Sequence, residues 1–180
     1  MEDKKYTKNK VLIVEDDPDV MKSVKTIFEA YSDQVKLLEA KTAEEAYTIL
    51  FKESDQPTVD ALILDIMMPY GKIEIRERLR GEGDIHFIET GKLLLEYIRD
   101  KEVNAKEEIP LWVSVITGRN APNILQCINK LLGDNGRLMT KPFNEFVLEN
   151  DIAHVLGIKS KVPEIVLPEG YQPPKFSGGA

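Results

Sequence analysis

The sequence has one cysteine, one tryptophan and no long hydrophobic run in its 180 residues. Cys127 has no partner for an internal disulfide, and a lone thiol fits a reducing cytoplasm. The longest apolar stretches resemble Val11–Val14 and Ala61–Leu64, far short of a bilayer span. The start, MEDKKYTKNK, lacks the apolar core of a secretory signal. Positive charge is not in excess either. There are 24 Lys+Arg against 31 Asp+Glu, a net charge of −7, which argues against non-specific binding to nucleic acid or to an anionic membrane. No internal repeat is present. The length fits one domain with room for a loop insertion or a tail, and the 42% hydrophobic content can supply a core.

The periodicity that is present alternates between strand and helix. Lys10–Val14, Val35–Glu39, Val59–Leu64, Leu111–Ile116 and Arg137–Met139 read as short buried strands. Asp17-Pro18 reads as a helix N-cap followed by proline at the first helical position, with Val20, Val24, Ile27, Phe28 and Tyr31 on one face. Thr42 opens a helix through about Lys52, with Glu45 at capping-box spacing. Thr90–Lys101 and Pro122–Leu132 are helical, and Pro142 is expected to start a last helix ending near Gly157. Five strands alternating with five helices imply a doubly wound parallel sheet covered on both faces. Three segments flank or interrupt it: residues 1–9, an irregular insertion at about 70–89, and a Pro/Gly-rich tail over 158–180. The domain proper is 10–157. Within the insertion, Ile73–Arg76 and Ile85–Ile88 around Gly81 and Gly83 suit a β-hairpin, with a short helix through Ile75 and Leu79 as the competing reading.

In an open parallel sheet, ligands bind at the carboxyl ends of the strands. Those ends carry Glu15, Asp16 and Asp17, then Asp65, then Thr117-Gly118, then Lys141-Pro142. Carboxylates crowded there repel one another unless a cation sits among them, and Mg²⁺ favours a few carboxylates together with water and phosphate oxygens. A lysine and a hydroxyl opposite would supply a charge and a hydrogen bond to a phosphoryl group. Asp17 is assigned to the helix cap rather than to the cation, because Pro18 follows it. His86 and His154 lack metal-ligand spacing, and Cys127 and Trp112 read as packing residues.

The motifs VLIVEDDP, ALILDIMMP, VSVITG and MTKPF, in this order, resemble the receiver domain of two-component response regulators. The resemblance covers roughly 9–157 with a break at about 70–89, and it implies a flavodoxin-like sheet of order 2-1-3-4-5. It implies that Asp65 is the phosphoacceptor. Glu15, Asp16, Asp65 and the backbone carbonyl of Met67 would hold Mg²⁺, and Thr117 and Lys141 would bind the phosphoryl group. A cis peptide is expected before Pro142. The implied role is that of a cytoplasmic signalling module, not an enzyme. It would take its phosphoryl group from a histidine kinase or phosphotransfer protein and act on an unidentified downstream protein. Residues after Gly157 offer no recognition helix or basic patch, so direct DNA binding is not expected, nor is a membrane role; a homodimer stays open.

Two features depart from the family pattern. Leu138 stands where an aromatic residue is usual, and the 70–89 insertion lengthens a connection that is usually short. The competing function is a phosphorylation-independent interaction module of the same fold. A dehalogenase-type hydrolase would need an aspartate at Met67, and a flavodoxin-like nucleotide site would not place Glu15–Asp17 against phosphate.

Overall fold

The computed structural model describes residues 8–51, 57–71, 89–105, 110–163 and 166–174. The expected hairpin or helix within the insertion falls on residues 72–88, outside those described. The elements are β1 (Asn9–Val14), α1 (Pro18–Glu29), β2 (Val35–Ala40), α2 (Ala43–Phe51), β3 (Ala61–Asp65), α3 (Thr90–Ala105), β4 (Trp112–Thr117), α4 (Pro122–Leu132), β5 (Gly136–Thr140) and α5 (Glu145–Val155). All strand pairs are parallel, in the order β2-β1-β3-β4-β5.

Alternation along each strand divides the core. Val11 and Ile13 face the layer of α1 and α5, whereas Leu12 and Val14 face the layer of α2, α3 and α4. Helix α1 buries Met21, Val24 and Phe28, with Val20 and Ile27 at the margin, so the buried face includes Met21, which the face read from the sequence left out. Trp112 is buried and donates its indole N–H to Ser114 Oγ at 3.0 Å, which satisfies both polar groups within the strand. Cys127 is half-exposed rather than core.

Local chemistry sets the helix ends. Asp17 caps α1 by accepting from the backbone N–H groups of Asp19 (2.8 Å) and Val20 (3.3 Å). Thr42 Oγ1 accepts from Glu45 N, while the Glu45 carboxylate reaches back to Lys41 N, one residue beyond the usual capping box. Helix α5 begins at Glu145, not Pro142, because Asn144 is its cap and accepts from Phe146 N and Val147 N. At its other end Gly157, at φ +63°, donates to His154 O while Ile158 N donates to Ala153 O. This Schellman arrangement needs a left-handed residue and turns the chain back along the domain.

The Pro/Gly-rich stretch after it contains no strand and no α-helix among its described residues, yet Ile158, Leu167 and Tyr171 pack on the α1–α5 side of the core. On the opposite layer, Arg99 of α3 donates to the carbonyls of Leu111 (2.9 Å), Leu131 (3.0 Å) and Asn135 (3.1 Å) and pairs with the buried Glu102 at 2.8 Å. Glu102 also accepts from Leu111 N at 2.7 Å. One guanidinium thus ties the end of α4 and the turn after it to the entry of β4. Among the described residues, no helix is long and apolar enough to cross a membrane.

Candidate functional site

Strand order reverses at β1 and β3, so a crevice opens at their carboxyl ends. Val14 pairs with Leu64 and Asp65 with Ile116, which brings Glu15 level with Asp65; Thr117 pairs with Thr140, and Lys141 follows. Glu15, Asp65 and Thr117 are buried, and Asp16 is exposed. Glu15, Asp16 and Asp65 each offer an oxygen within 4.8 Å of the others.

Lys141 Nζ lies between two of these carboxylates, 2.8 Å from Glu15 Oε2 and 2.7 Å from Asp65 Oδ2. The second oxygen of Asp65 accepts from Met67 N at 2.9 Å, and that of Glu15 accepts from Asp17 N at 3.1 Å. Thr117 Oγ1 accepts from Arg119 N at 3.0 Å, which leaves its hydroxyl proton free to donate. The peptide between Lys141 and Pro142 is cis. Burial pushes the Glu15 carboxyl up to about 7; the hydrogen bond from Lys141 opposes this and the charge of Asp65 adds to it. Burial pulls the Lys141 ammonium down, but its bonds to Asp65 and Glu15 outweigh that and hold it above its usual value.

The donor set suits a small hard cation. Opposite oxygens in an octahedral Mg²⁺ shell are roughly 4.2 Å apart, twice the metal–oxygen distance. Closing the 4.8 Å spread to that span takes a small movement, which the exposed Asp16 can make. Asp16→Ala is therefore expected to weaken Mg²⁺ binding severalfold. Asp17→Ala should leave it nearly unchanged and lower stability by about 1 kcal/mol through loss of the cap. A Mg²⁺ titration ranking the two the other way would show the acidic set to be shifted by one residue.

Some contributors are not legible from residue type. Gly91, at the start of α3, donates its N–H to Ile66 O at 3.0 Å, and a Cβ there would lie 2.1 Å from the carbonyl oxygen of Asp65. Only glycine lets α3 approach the Asp65–Ile66 loop this closely. On the other side of that loop, the carbonyls of Pro69 and Tyr70 accept from the first amides of α2, Ala43 N and Glu44 N. Leu138 is half-buried against the α2–α4 layer. Thr90 Oγ1 and Arg119 Nε are buried without a hydrogen-bond partner among the described residues.

Residues 11–90 match the model of the response regulator receiver domain family. That span contains Glu15, Asp16 and Asp65 and stops short of Thr117 and Lys141. No curated protein matches the sequence. Among solved structures, the fold is similar to that of the signal receiver domain of a DNA binding response regulator protein from Colwellia psychrerythraea (20% identity, 83% of this chain and 98% of that one, TM-score 0.59). It is also similar to the isolated receiver domain of RcsB from Salmonella enterica serovar Typhimurium, solved with the phosphomimetic BeF3− (23% identity, 88% and 95% covered, TM-score 0.58). A CheY-like receiver domain protein from Methanospirillum hungatei gives 18% identity, 84% and 95% coverage and a TM-score of 0.55. The model of the receiver domain family thus matches residues 11–90, and the fold of the chain is similar to that of solved receiver domains.

Proposed function

We propose that the chain accepts a phosphoryl group on Asp65 from a histidine kinase or a phosphotransfer protein, in the cytoplasm, and signals through protein contacts rather than by binding DNA. The observation that carries this reading is the bridge from Lys141 to both Glu15 and Asp65 at the switch point of the sheet. A carboxylate oxygen of Asp65 forms the new P–O bond as the P–N bond of the donor phosphohistidine breaks, and the leaving imidazole nitrogen keeps the electron pair. Lys141, already within reach of Asp65, offsets charge on the phosphoryl group, and the Thr117 hydroxyl donates to one of its oxygens. Glu15, Asp16, Asp65 and the Met67 carbonyl would hold Mg²⁺, which when bound neutralises the remaining negative charge. The downstream target is a protein.

Incubation with Mg²⁺ and acetyl phosphate should add one base-labile phosphoryl group per chain, mapped by peptide mass spectrometry to Asp65. Absence of label, with binding of a partner unaffected by acetyl phosphate, would mean that the fold serves here as a phosphorylation-independent interaction module.

A further inference from the structure

The two ends of β5 are tied to different parts of the molecule. At the carboxyl end, Lys141 holds Glu15 and Asp65. At the amino end, Arg137 pairs with the buried Asp151 of α5, donates to the carbonyl of Gln172 at 2.8 Å and lies 5.3 Å from the Tyr171 ring centre. The Tyr171 hydroxyl donates to Asp151 at 2.5 Å and accepts from Asn150 at 2.7 Å. A second latch lies nearer α1. Lys161 N donates to the Tyr31 hydroxyl (2.6 Å) and to Glu149 (3.1 Å), and its ammonium reaches the carbonyl of Ala30 while lying 4.9 Å from the Tyr31 ring centre.

Residues 158–163 and 166–174 thus form a strap over α1, α5 and β5. Glu149 and Asp151 are 5% and 0% exposed, and the strap supplies hydrogen bonds to both. Without it these buried carboxylates would lose donors, so the surface is made to be covered. The strap itself joins no sheet and forms no α-helix among its described residues, so it can open without global unfolding.

Room for a shift exists between the latch and the site. A cavity of about 390 Å³ lies against Lys141, Phe143, Ser23 and Glu145. A second, of about 230 Å³, lies against Glu145, Phe146 and strap residues Lys161 to Pro163. Glu145, in the first turn of α5, lines both of these open grooves and accepts from Ser23 Oγ at 2.8 Å, so one hydrogen bond ties that turn to α1 there. Strand β5 is also an edge strand, bonded to β4 alone.

We propose that the strap is latched while Asp65 is unmodified and loosens when a phosphoryl group draws Lys141 away from Glu15, uncovering the α1–α5–β5 surface. The proposal rests on the reading of Asp65 as phosphoacceptor. Moving Lys141 shifts β5 and the turn into α5; the first latch hangs on β5 and α5 through Arg137 and Asp151, and the second on α5 and the end of α1 through Glu149 and Tyr31. Linkage then requires the reverse effect: a weakened latch must favour the modified state.

Hydrogen-exchange mass spectrometry on the full chain, in Mg²⁺ with and without beryllofluoride, tests this. Peptides covering 158–163 and 166–174 should exchange about fivefold faster or more once beryllofluoride is bound, a typical coupling between sites. The strands β1 and β3 should not change, and Asp65→Asn should abolish the effect. Tyr171→Phe, which keeps the ring but loses the donor to Asp151, should tighten beryllofluoride binding by a similar factor. A site shown by fluorine NMR to be loaded, with strap exchange unchanged or slower, overturns the strap proposal alone. Failure of beryllofluoride to bind at all removes the acceptor reading and the strap proposal with it.

Discussion

Asp65→Asn is expected to reduce phosphoryl uptake from acetyl phosphate to below detection while leaving the protein folded. The amide has no nucleophilic carboxylate oxygen, so the P–O bond cannot form. It also withdraws one of three crowded acidic groups from a buried site, and with it one of the two carboxylates on Lys141. Its carbonyl can still accept from Met67 N, where Asp65 now does so at 2.9 Å. Because the lost charge was repelled by Glu15, stability without Mg²⁺ should be equal to or higher than that of the parent. Lys141→Ala makes the opposite change. Glu15 and Asp65 would then face each other with no cation between them, and both labelling and stability should fall. Intact-mass spectrometry after acetyl phosphate treatment, together with urea unfolding of each variant, checks these outcomes. Labelling of Asp65→Asn to the parental extent would place the acceptor elsewhere.

The largest loss of stability is expected from Arg99→Ala, at about 3–5 kcal/mol, the range for breaking a buried ion pair by removing one partner. The guanidinium is the common donor to Leu111 O, Leu131 O and Asn135 O, and it neutralises Glu102, whose side chain is only 5% exposed. Removing it leaves a buried carboxylate uncompensated and three carbonyls short of a donor. Arg99→Lys should recover only part of the loss, since an ammonium cannot reproduce a planar fork aimed at several acceptors. A domain of this size is held by about 5–15 kcal/mol, so the alanine variant should unfold at markedly lower urea concentration with an unchanged slope. A loss below about 1 kcal/mol would show that water replaces the guanidinium at these carbonyls.

Much of the site is legible in the sequence because polar groups that end buried strands have few places to go. Once VLIV, ALIL and the run through VSVIT are read as neighbouring parallel strands, Glu15, Asp65 and Thr117 must emerge on one edge, and the structure puts them there. The Asp17 cap is equally local, since a side chain, two amides and a following proline suffice to define it. Local signals were less decisive where two start sites competed. Proline at 142 and asparagine at 144 both announce a helix, and Asn144 prevailed by bonding two amides.

The sequence by itself determined the alternation of strands and helices, the acidic cluster and the lysine that meets it. Those follow from periodicity and residue chemistry over a few positions. Only the tertiary structure decided the role of Arg99, which in sequence is one more charged residue three positions before a glutamate on a helix. Its carbonyl partners come from α4, the turn after it and the entry to β4. The tertiary structure alone likewise decided that glycine is required at position 91, because the obstacle is the carbonyl of Asp65 from a distant strand. It also decided that the Pro/Gly-rich stretch lies against the domain. Proline and glycine content disfavours α-helix and strand, and the described residues of the segment form neither; what holds it is a set of single side chains, Tyr31, Arg137, Glu149 and Asp151, brought within reach only when α1, β5 and α5 pack together.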